Sequence, residues 1–577
     1  MKTSPASSRE IKDALGGARG VFWHAAGFSL FVNVLMLTGP LYMLQVYDRV
    51  LASQSIPTLL ALTLLVLVLY GTLGILEWAR SGLFSVAASR FEGTLSERAA
   101  TAAMTLSLAD PGRASDRPIR DLRQLRRFIG GPVPGALFDA PFSPLFLAVL
   151  FMLHPLFGLW ALFGAVVLVA TAALNERVSA RLTKESEDFE RGSYLRSAEM
   201  TRNAEVLKAL GMDAAVRARW QRLFDGGDSA FSRSGRILTG FTSGTKAFRL
   251  FLQSAILGIG AWLAIAGEST AGAMVAASIL MGRAIGPLEQ IVGQWRVIAA
   301  ARESWSSLGQ ALAAAPASAP QMPLPPIRGA VRVENAYAGP PGNTAPVLKG
   351  LSFALEPGEV LGILGPSAAG KSSLARVLTG AWPVRSGHVR IDGADIASLP
   401  SDTLGPQIGY LPQQADLLAG SVRDNICRFR DDAAPEAIIA AAQAAGCHEM
   451  ILRLASGYDT DIGLGGAYLS AGQRQRIGLA RALFGNPNLI ILDEPNSNLD
   501  GPGEIALQAA IASAKARSAT VIIIAHRPNA IVHCTKLMVI DDGKVREFGP
   551  ADEVLAKVLP KTASNVRTIR PGEGSHG

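Results

Sequence analysis

Cysteine is scarce in this chain of 577 residues, which has three: Cys427, Cys447 and Cys534. They stand far apart, and no two have the close spacing of a metal-binding pair. The sequence therefore predicts neither a disulfide framework nor a cysteine-ligated metal site. All three lie in the C-terminal half, for which we expect a reducing, cytosolic environment.

Charged residues are also few. They make up 18% of the chain against 49% hydrophobic residues, and the mean hydropathy is +0.26. This balance excludes an ordinary soluble protein, and the length excludes a single core. Basic residues outnumber acidic ones by 55 to 47. They flank apolar segments without interleaved aromatic residues, so we expect no nucleic-acid partner.

Long apolar runs dominate the first half of the chain. Each can cross a hydrocarbon layer of ~30 Å, the third only if it begins near Phe138. The first is too long for a signal-peptide core of ~7 to 15 residues and lacks a small-residue cleavage site after it. We therefore predict six membrane-spanning helices in contact with lipid. The runs are residues 21–46, 56–76, 141–153, 155–174, 247–266 and 271–292.

Arginine placement predicts the direction of these helices. The long connections 77–138 and 175–246 are rich in arginine and carry apolar residues at helical spacing, whereas the turns 47–55 and 267–270 hold one basic residue between them. Positive loops stay in the cytoplasm, so both long connections and both termini are expected there. Within the sixth span, Arg283 either reaches the inner headgroups or faces an aqueous path or a carboxylate such as Glu289.

The second half contains a phosphate-binding loop that fits G-x-x-x-x-G-K-[ST] without a mismatch. An apolar strand at 360–364 precedes it and a helix follows, as the mechanism requires. Its backbone N–H groups and the helix N-terminus would cradle the phosphates of ATP, while its lysine supplies a point charge and its last serine is left for Mg²⁺. The loop is Gly365, Pro366, Ser367, Ala368, Ala369, Gly370, Lys371 and Ser372, and Ser373 continues into the helix.

A second apolar strand, 489–492, ends in two carboxylates, Asp493 and Glu494. A buried strand that delivers acids at its end places them in a site. We expect Asp493 to hold Mg²⁺ and Glu494 to orient and deprotonate the attacking water.

Between the loop and this strand stand Leu469, Ser470, Ala471, Gly472 and Gln473, followed by an arginine-rich helical run. Here the chain closely resembles the ATP-binding cassette family, whose signature is an L-S-G-G-Q type sequence. The resemblance implies a membrane α-helical domain of the type I exporter fold, fused to an α/β ATPase domain. It also implies that Ser470, Gly472 and Gln473 bind the γ-phosphate of ATP held by another subunit, from a helix N-terminus.

The resemblance supplies further functional residues. Gln413 would contact Mg²⁺ and the attacking water, Asp500 would belong to the loop that follows the catalytic carboxylates, and His526 would contact the γ-phosphate. Two positions depart from the family pattern. The nearest candidate for stacking on adenine, Tyr337, stands three residues early, and Leu464 replaces a glutamate that exporters often carry before the signature.

Within the family, the chain resembles the ATPases of bacterial type I protein secretion. The residues that carry this are 272–283, 202–206, 138–141 and 494–500, with Gly211, Met212, Gln294 and Trp295. The resemblance implies a homodimer in the inner membrane that exports a protein with an uncleaved C-terminal signal, together with a periplasmic adaptor and an outer-membrane channel. With no cysteine before Cys427, we expect no N-terminal cysteine peptidase.

Two other kinds of protein share part of this pattern. An exporter of lipids or small hydrophobic molecules shares the same domains, whereas a soluble DNA-associated ATPase is excluded by the six spans. We therefore predict an N-terminal cytoplasmic segment (1–20), a membrane domain (21–309), an Ala/Pro-rich linker (310–328), an ATPase domain (329–561) and a disordered tail (562–577).

Overall fold

The computed structural model describes residues 7–110, 116–315, 325–399, 401–525 and 531–558. His526 and the predicted tail 562–577 lie outside them. The chain divides into two compact units, Met1–Leu106 with Ser115–Ala317, and Ser107–Ala114 with Ser318–Gly577. Each unit has its own hydrophobic clusters and is described by itself.

The first unit is helical. Its helices are α1 (Ser7–Gly16), α2 (Arg19–Leu35), α3 (Thr38–Gln45), α4 (Leu51–Ser53), α5 (Ile56–Ala109), α6 (Arg117–Ile129), α7 (Pro132–Asp139), α8 (Ser143–Leu153), α9 (Pro155–Arg202), α10 (Ala204–Ala209), α11 (Asp213–Ile265), α12 (Ala271–Gly293) and α13 (Trp295–Ala314). Among the described residues, six helical stretches are long and apolar enough to cross a membrane, which confirms the predicted six spans. The third runs Pro132–Leu153 and therefore does include Phe138.

Three helices are much longer than a membrane-spanning helix needs to be. Helices α5, α9 and α11 have 54, 48 and 53 residues. At 1.5 Å per residue they are each about 70 to 80 Å long, more than twice the hydrocarbon thickness of ~30 Å. Their polar ends cover most of the two connections for which the sequence predicted helices.

Two hydrophobic clusters hold the first unit together. One lies among the spans and includes Phe146, Phe157 and Met281. The other joins α1 to α5, α6 and α13 through side chains such as Ile11 and Leu308. The N-terminal segment, which the sequence showed only as polar, thus contains a helix that buries one apolar face.

Buried charges also join these helices. Arg80 of α5 contacts Asp139 at 2.6 Å, and Asn33 of α2 donates to the same carboxylate at 2.8 Å.

Glu289 contacts Arg249 at 3.2 Å, whereas Nη1 of Arg283 lies 3.6 Å from the Met36 sulfur. The suggestion that Glu289 pairs with Arg283 is therefore wrong.

The predicted linker begins inside a helix. Helix α13 extends to Ala314, and Leu312 and Ala315 are buried, so residues 310–314 belong to the first unit. Nη2 of Arg98 donates to the carbonyl oxygen of Ala315 at 2.9 Å and thereby satisfies the end of this helix. Residues 316–324, where the prolines begin, lie outside the described part of the chain.

The second unit contains two sheets. The strands are β1 (Val331–Ala338), β2 (Leu348–Leu355), β3 (Val360–Leu364), β4 (Ser386–Ile391), β5 (Ala394–Asp395), β6 (Ile408–Leu411), β7 (Leu489–Asp493), β8 (Thr520–Ile524), β9 (Lys536–Asp541) and β10 (Lys544–Pro550). The antiparallel sheet has the order β2-β1-β4-β5. The larger sheet has the order β10-β9-β3-β8-β7-β6 and is parallel except for β10.

Helices cover the sheets of this unit. They are α14 (Lys371–Leu378), α15 (Ser401–Leu404), α16 (Val422–Ile426), α17 (Pro435–Ala444), α18 (His448–Leu452), α19 (Ala471–Leu483), α20 (Gly501–Ala516) and α21 (Ala551–Val558). Every residue of β7 and β8 is buried, as expected of parallel strands covered on both faces. These strands are continuous runs of apolar residues because neither face meets water.

Candidate functional site

The predicted site residues follow strands that end at one edge of the parallel sheet. Ile363 and Asp493 both pair with Ile524 of β8, and Leu411 pairs with Leu492. The phosphate-binding loop follows β3, the two carboxylates end β7, and Gln413 lies two residues after β6. Polar groups that follow parallel strands meet at this edge, which is where such sheets bind ligands.

Backbone geometry explains both glycines of the loop. Gly365 has φ of 151°, and a Cβ on it would lie 2.1 Å from the Ile540 carbonyl oxygen. Gly370 has φ of 101° and is the residue that precedes α14. Only glycine adopts such angles without strain, so these positions let the chain wrap around and point N–H groups toward an anion. Between them, Pro366, Ser367 and Ala368 are exposed and Ala369 is buried, whereas Ser373 in the first turn of α14 is half-buried.

Lys371 is buried in this loop. Its Nζ donates to the carbonyl oxygens of Gly365 and Pro366 at 2.8 Å each. Burial lowers the pKa of Lys371, and the neighbouring carboxylates of Glu494 and Asp493 oppose that shift. The ammonium is thus held at the mouth of the loop, where it can bind phosphate oxygens as a point charge.

Asp493 offers an oxygen ligand to a cation. It is 2% exposed, and the Ser372 hydroxyl hydrogen-bonds to its carboxylate. Burial is the main cause that raises the pKa of Asp493, and the Ser372 hydrogen bond opposes it. Among the described residues its Oδ1 has no hydrogen-bond partner. A hydroxyl beside a buried carboxylate with a free oxygen fits Mg²⁺, which prefers oxygen ligands.

Glu494 has an unusual backbone. Its φ is 50°, its N–H donates to the Ile524 carbonyl at 3.0 Å, and its carbonyl accepts from Ser497. Strained angles in a non-glycine residue concentrate at functional sites. Here they occur directly after Asp493, where strand β7 ends. Gln413 lies exposed in the bend after β6.

The signature segment, residues 469–473, forms the start of helix α19. Ser470 is its N-cap and accepts from the Gln473 N–H at 3.3 Å, while the Gln473 side chain accepts from the Ser470 N–H at 2.8 Å. This reciprocal capping box fixes the helix start, and Ser470 is exposed there. In the first turn Ala471 is exposed and Gly472 and Gln473 are half-buried, and a helix N-terminus of this kind attracts an anion.

Comparison with known proteins agrees with this geometry. Two family models match: "ABC transporter" over residues 348–497 and "ABC transporter transmembrane region" over residues 22–288. The type I secretion system ATP-binding protein PrsD of Rhizobium meliloti is 42% identical over 97% of this chain and 96% of its own length. This chain belongs to the ABC transporter family.

Further similarities place the transporter within that family. The cyclolysin secretion/processing ATP-binding protein CyaB of Bordetella pertussis is 31% identical over 92% of this chain and 75% of its own length. A solved bacterial Atm1-family ABC exporter with ATP bound has a TM-score of 0.81 at 23% identity, and covers 93% of this chain and 96% of the other. The last comparison shows the fold alone. Together they confirm the predicted exporter fold, type I secretion family and transport-coupled ATPase.

Asp500 has two partners in the transporter. One oxygen caps α20 by accepting from the Gly503 N–H at 3.1 Å, and the other accepts from Arg476 of α19 at 2.8 Å. The sequence predicted Asp500 but not Arg476. The spacing of Arg476 from the signature could have identified it, because residues four apart share a helix face.

The two departures from the family pattern have definite places. Tyr337 lies in β1 opposite Lys349, is 37% exposed, and its hydroxyl lies beside Gly350. Leu464 is 86% exposed in the turn before the signature. Neither contacts the phosphate-binding loop through a described hydrogen bond.

Proposed function

We propose that this transporter hydrolyses ATP to export a protein from the bacterial cytoplasm across the inner membrane. The observation that carries the proposal is the 42% identity to PrsD over nearly the full length of both chains. CyaB, which is named for cyclolysin secretion, supports a protein cargo as opposed to a lipid. We infer that the cargo carries a C-terminal signal.

The chemistry would use the residues at the sheet edge. The loop N–H groups and Lys371 bind the phosphates of ATP, and Ser372, Asp493 and Gln413 provide the oxygen ligands for Mg²⁺. When bound, Mg²⁺ offsets the negative charge of the phosphates. Glu494 orients the attacking water and accepts its proton. His526 is proposed from the family pattern to contact the γ-phosphate.

The working unit is proposed to be a homodimer. Ser470 and Gly472 lie at an exposed helix start, where they can reach ATP held by a second chain. A helix N-terminus directed at that γ-phosphate would attract its charge. Each of the two sites would then combine one chain's phosphate-binding loop with the signature of the other chain.

The proposed orientation places the ATPase domain and both termini in the cytoplasm. The arginine-rich helix extensions support it through the preference of basic residues for the cytoplasmic side. The external connections are short, with residues 266–270 between α11 and α12. They are too short to bridge an envelope, so a periplasmic adaptor and an outer-membrane channel are proposed as separate partners. We propose that the membrane domain comes first and the ATPase domain second, joined by a linker that starts after α13.

Gene deletion tests this function. Cells that lack the transporter should retain one or a few normally secreted proteins, and a plasmid copy should restore their secretion, whereas a Glu494→Gln copy should not. Lipid and drug efflux should be unchanged. Normal secretion with reduced efflux would instead establish the lipid or small-molecule exporter.

A further inference from the structure

A cavity of about 460 Å³ lies between helices α9 and α11 of the first unit. Five of the ten residues that line it are aromatic. They are Phe189 and Tyr194 of α9, with Trp220, Phe224 and Phe231 of α11. Sites that bind ligands are typically ~300 to 1,000 Å³ in volume and lined by apolar and aromatic side chains. We call this site the aromatic cavity.

The aromatic cavity lies well away from the apolar runs of its two helices. Of its lining residues, the nearest to those runs are Phe189, about 15 residues after the fourth run, and Phe231, about 16 residues before the fifth. At 1.5 Å per residue, each is at least about 20 Å from the hydrocarbon layer, whereas the headgroup region is only ~5 to 8 Å deep. The acyl chains of the bilayer therefore cannot fill the cavity, which lies in the cytoplasm under the proposed orientation.

Glycines make room for the cavity and its lining. A Cβ built on Gly226 would lie 2.8 Å from the Phe189 ring, so this ring packs where a side chain would otherwise stand. Gly227 is buried and lines the cavity itself. Glycine inside a helix costs stability relative to alanine. At these two positions of α11 the missing side chains leave the space that the cavity occupies.

Two guanidinium groups brace the aromatic lining. Arg296 lies over the Phe231 ring, 4.5 Å from its centroid, and Arg120 lies over the Tyr194 ring at 5.6 Å. Such cation–π contacts hold a ring in place. Side chains that are already held lose little freedom when a ligand binds, so the cavity is prepared for one.

One polar atom indicates what the ligand carries. Trp220 lines the cavity and stacks on Phe224 with 5.2 Å between ring centroids. Its indole Nε1 is buried and, within the described part of the chain, has no hydrogen-bond partner. A buried N–H without an acceptor costs free energy. A hydrocarbon cannot supply that acceptor, whereas the carbonyl oxygen of a peptide can, and the surrounding rings favour a peptide with large apolar side chains.

We propose that the aromatic cavity binds an apolar stretch of the unfolded cargo before that protein enters the membrane. An unfolded protein exposes the aromatic and aliphatic side chains that folding would bury, and a few of them fill a cavity of this size. A backbone carbonyl of the same stretch accepts from the indole of Trp220. The inference rests on the proposed protein cargo. A second copy of this chain fits less well, because a stable interface buries ~1,200 Å² or more, whereas a cavity takes inserted side chains.

Peptide binding to the full-length transporter in lipid nanodiscs tests this site. The probe is a short fluorescein-labelled peptide with phenylalanines spaced among glycine and serine, and the matched peptide has serine in each phenylalanine position. Fluorescence anisotropy gives the Kd. Phe224→Ala removes a ring, Trp220→Phe keeps a ring but loses the N–H, and Gly227→Leu fills the cavity. Leu195→Ala is the control, because Leu195 is exposed on α9 and does not line the cavity.

The phenylalanine peptide should bind the wild type and the control equally, and the serine peptide should bind neither. Phe224→Ala should raise the Kd about tenfold through lost apolar contact, and Trp220→Phe about threefold through the lost hydrogen bond. Gly227→Leu should abolish binding. Thermal unfolding shows which variants fold, and Trp220→Phe, the smallest change, keeps the test valid if the others do not.

Equal binding of the two peptides, or an unchanged Kd in Trp220→Phe and in every other variant that folds, would overturn the proposal. So would a wild-type transporter that binds no peptide but whose dimers separate in Phe224→Ala, because a second copy would then fill the cavity. Binding is measured without ATP hydrolysis or envelope partners, and so it fails separately from export. Cargo retained after gene deletion, with no peptide bound, would leave export standing and exclude the cavity. A small hydrophobic dye bound in place of the peptide, with reduced efflux after deletion, would exclude both.

Discussion

The ammonium of Lys371 lies 2.8 Å from the carbonyl oxygen of Gly365, six residues earlier in the same loop. The loop thus closes on its own lysine, with Pro366 as the second acceptor. Phosphate oxygens must replace these carbonyls as partners of the ammonium. The charge of the phosphates makes that exchange favourable, because charge-assisted hydrogen bonds are stronger than neutral ones.

Replacing Lys371 with alanine should abolish tight ATP binding. The variant loses the only charge that lies inside the loop and leaves two carbonyls without their donor. Equilibrium binding of a fluorescent ATP analogue measures the effect. We expect the Kd to rise at least about tenfold, which corresponds to the loss of about one charge-assisted hydrogen bond. Lys557→Ala, at an exposed lysine paired with Glu547, is the control and should bind normally. Unchanged affinity of Lys371→Ala would show that the lysine acts only after binding.

Glu494→Gln should bind ATP and scarcely hydrolyse it. The amide keeps the size of the side chain but cannot accept the proton of the attacking water, and general-base catalysis is worth about 10² or more. Phosphate release at saturating ATP measures turnover. Glu449→Gln, an exposed glutamate of α18, is the matched control and should be fully active. Turnover of Glu494→Gln above roughly a tenth of wild type would exclude Glu494 as the base.

Mixing two inactive variants should restore ATPase activity. Lys371→Ala disables a chain's own phosphate-binding loop, whereas Ser470→Arg blocks the helix start that it presents to its partner. Each homodimer is then inactive at both sites, but a mixed dimer pairs one intact loop with one intact signature. ATPase assays on affinity-purified mixed dimers measure the recovery, with each homodimer as control. Activity in fully separated monomers would refute the composite site.

Replacing Asp139 with alanine should destabilise the first, helical unit. The Arg80 guanidinium would remain buried with its carboxylate gone, and breaking a buried pair in this way costs about 3 to 5 kcal/mol. Asp139→Asn should cost less, because its oxygen can still accept from Arg80 and Asn33. Thermal unfolding in detergent measures both. Asp225→Ala, at an exposed site on α11, should change stability by less than about 0.5 kcal/mol. Equal melting of Asp139→Ala and this control would mean that the pair is not buried in solution.

Local patterns in the sequence predicted much of this molecule. The six spans follow from apolar runs because a hydrocarbon layer fixes their length. The phosphate-binding loop follows from its glycines, whose positive φ at Gly365 and Gly370 no other residue adopts cheaply. In both cases one stretch of chain carries the whole physical requirement.

Partners distant in sequence could not be predicted in the same way. Arg80 and Asp139 are 59 residues apart, and which charges meet depends on which helices become neighbours. The linker starts later than the sequence predicts, for a local reason. Residues 311–314 are mostly alanine, the strongest helix former, and so continue α13 up to the first proline. Averaged over the whole alanine and proline stretch, composition does not show this boundary.

The last prediction concerns cargo recognition, which is proposed to depend on the C-terminus of the exported protein. A cargo that enters from the cytoplasm must be recognised before it folds, and a signal at its C-terminus is complete only when synthesis ends. Fusing the last ~60 residues of a retained protein, about the size of the smallest domains that fold alone, to a slow-folding passenger should therefore cause export. Immunoblots of culture medium and cells measure it.

Three controls make this experiment decisive. The first ~60 residues of the same protein, fused in the same place, match the size of the signal without being C-terminal in origin. A fast-folding form of the passenger should stay inside the cell, because a folded domain is too wide for a path between packed helices. Cells with the Glu494→Gln transporter should export nothing, which ties export to hydrolysis. Export directed equally well by the N-terminal fragment would show that recognition lies elsewhere in the cargo, and the C-terminal signal would have to be abandoned.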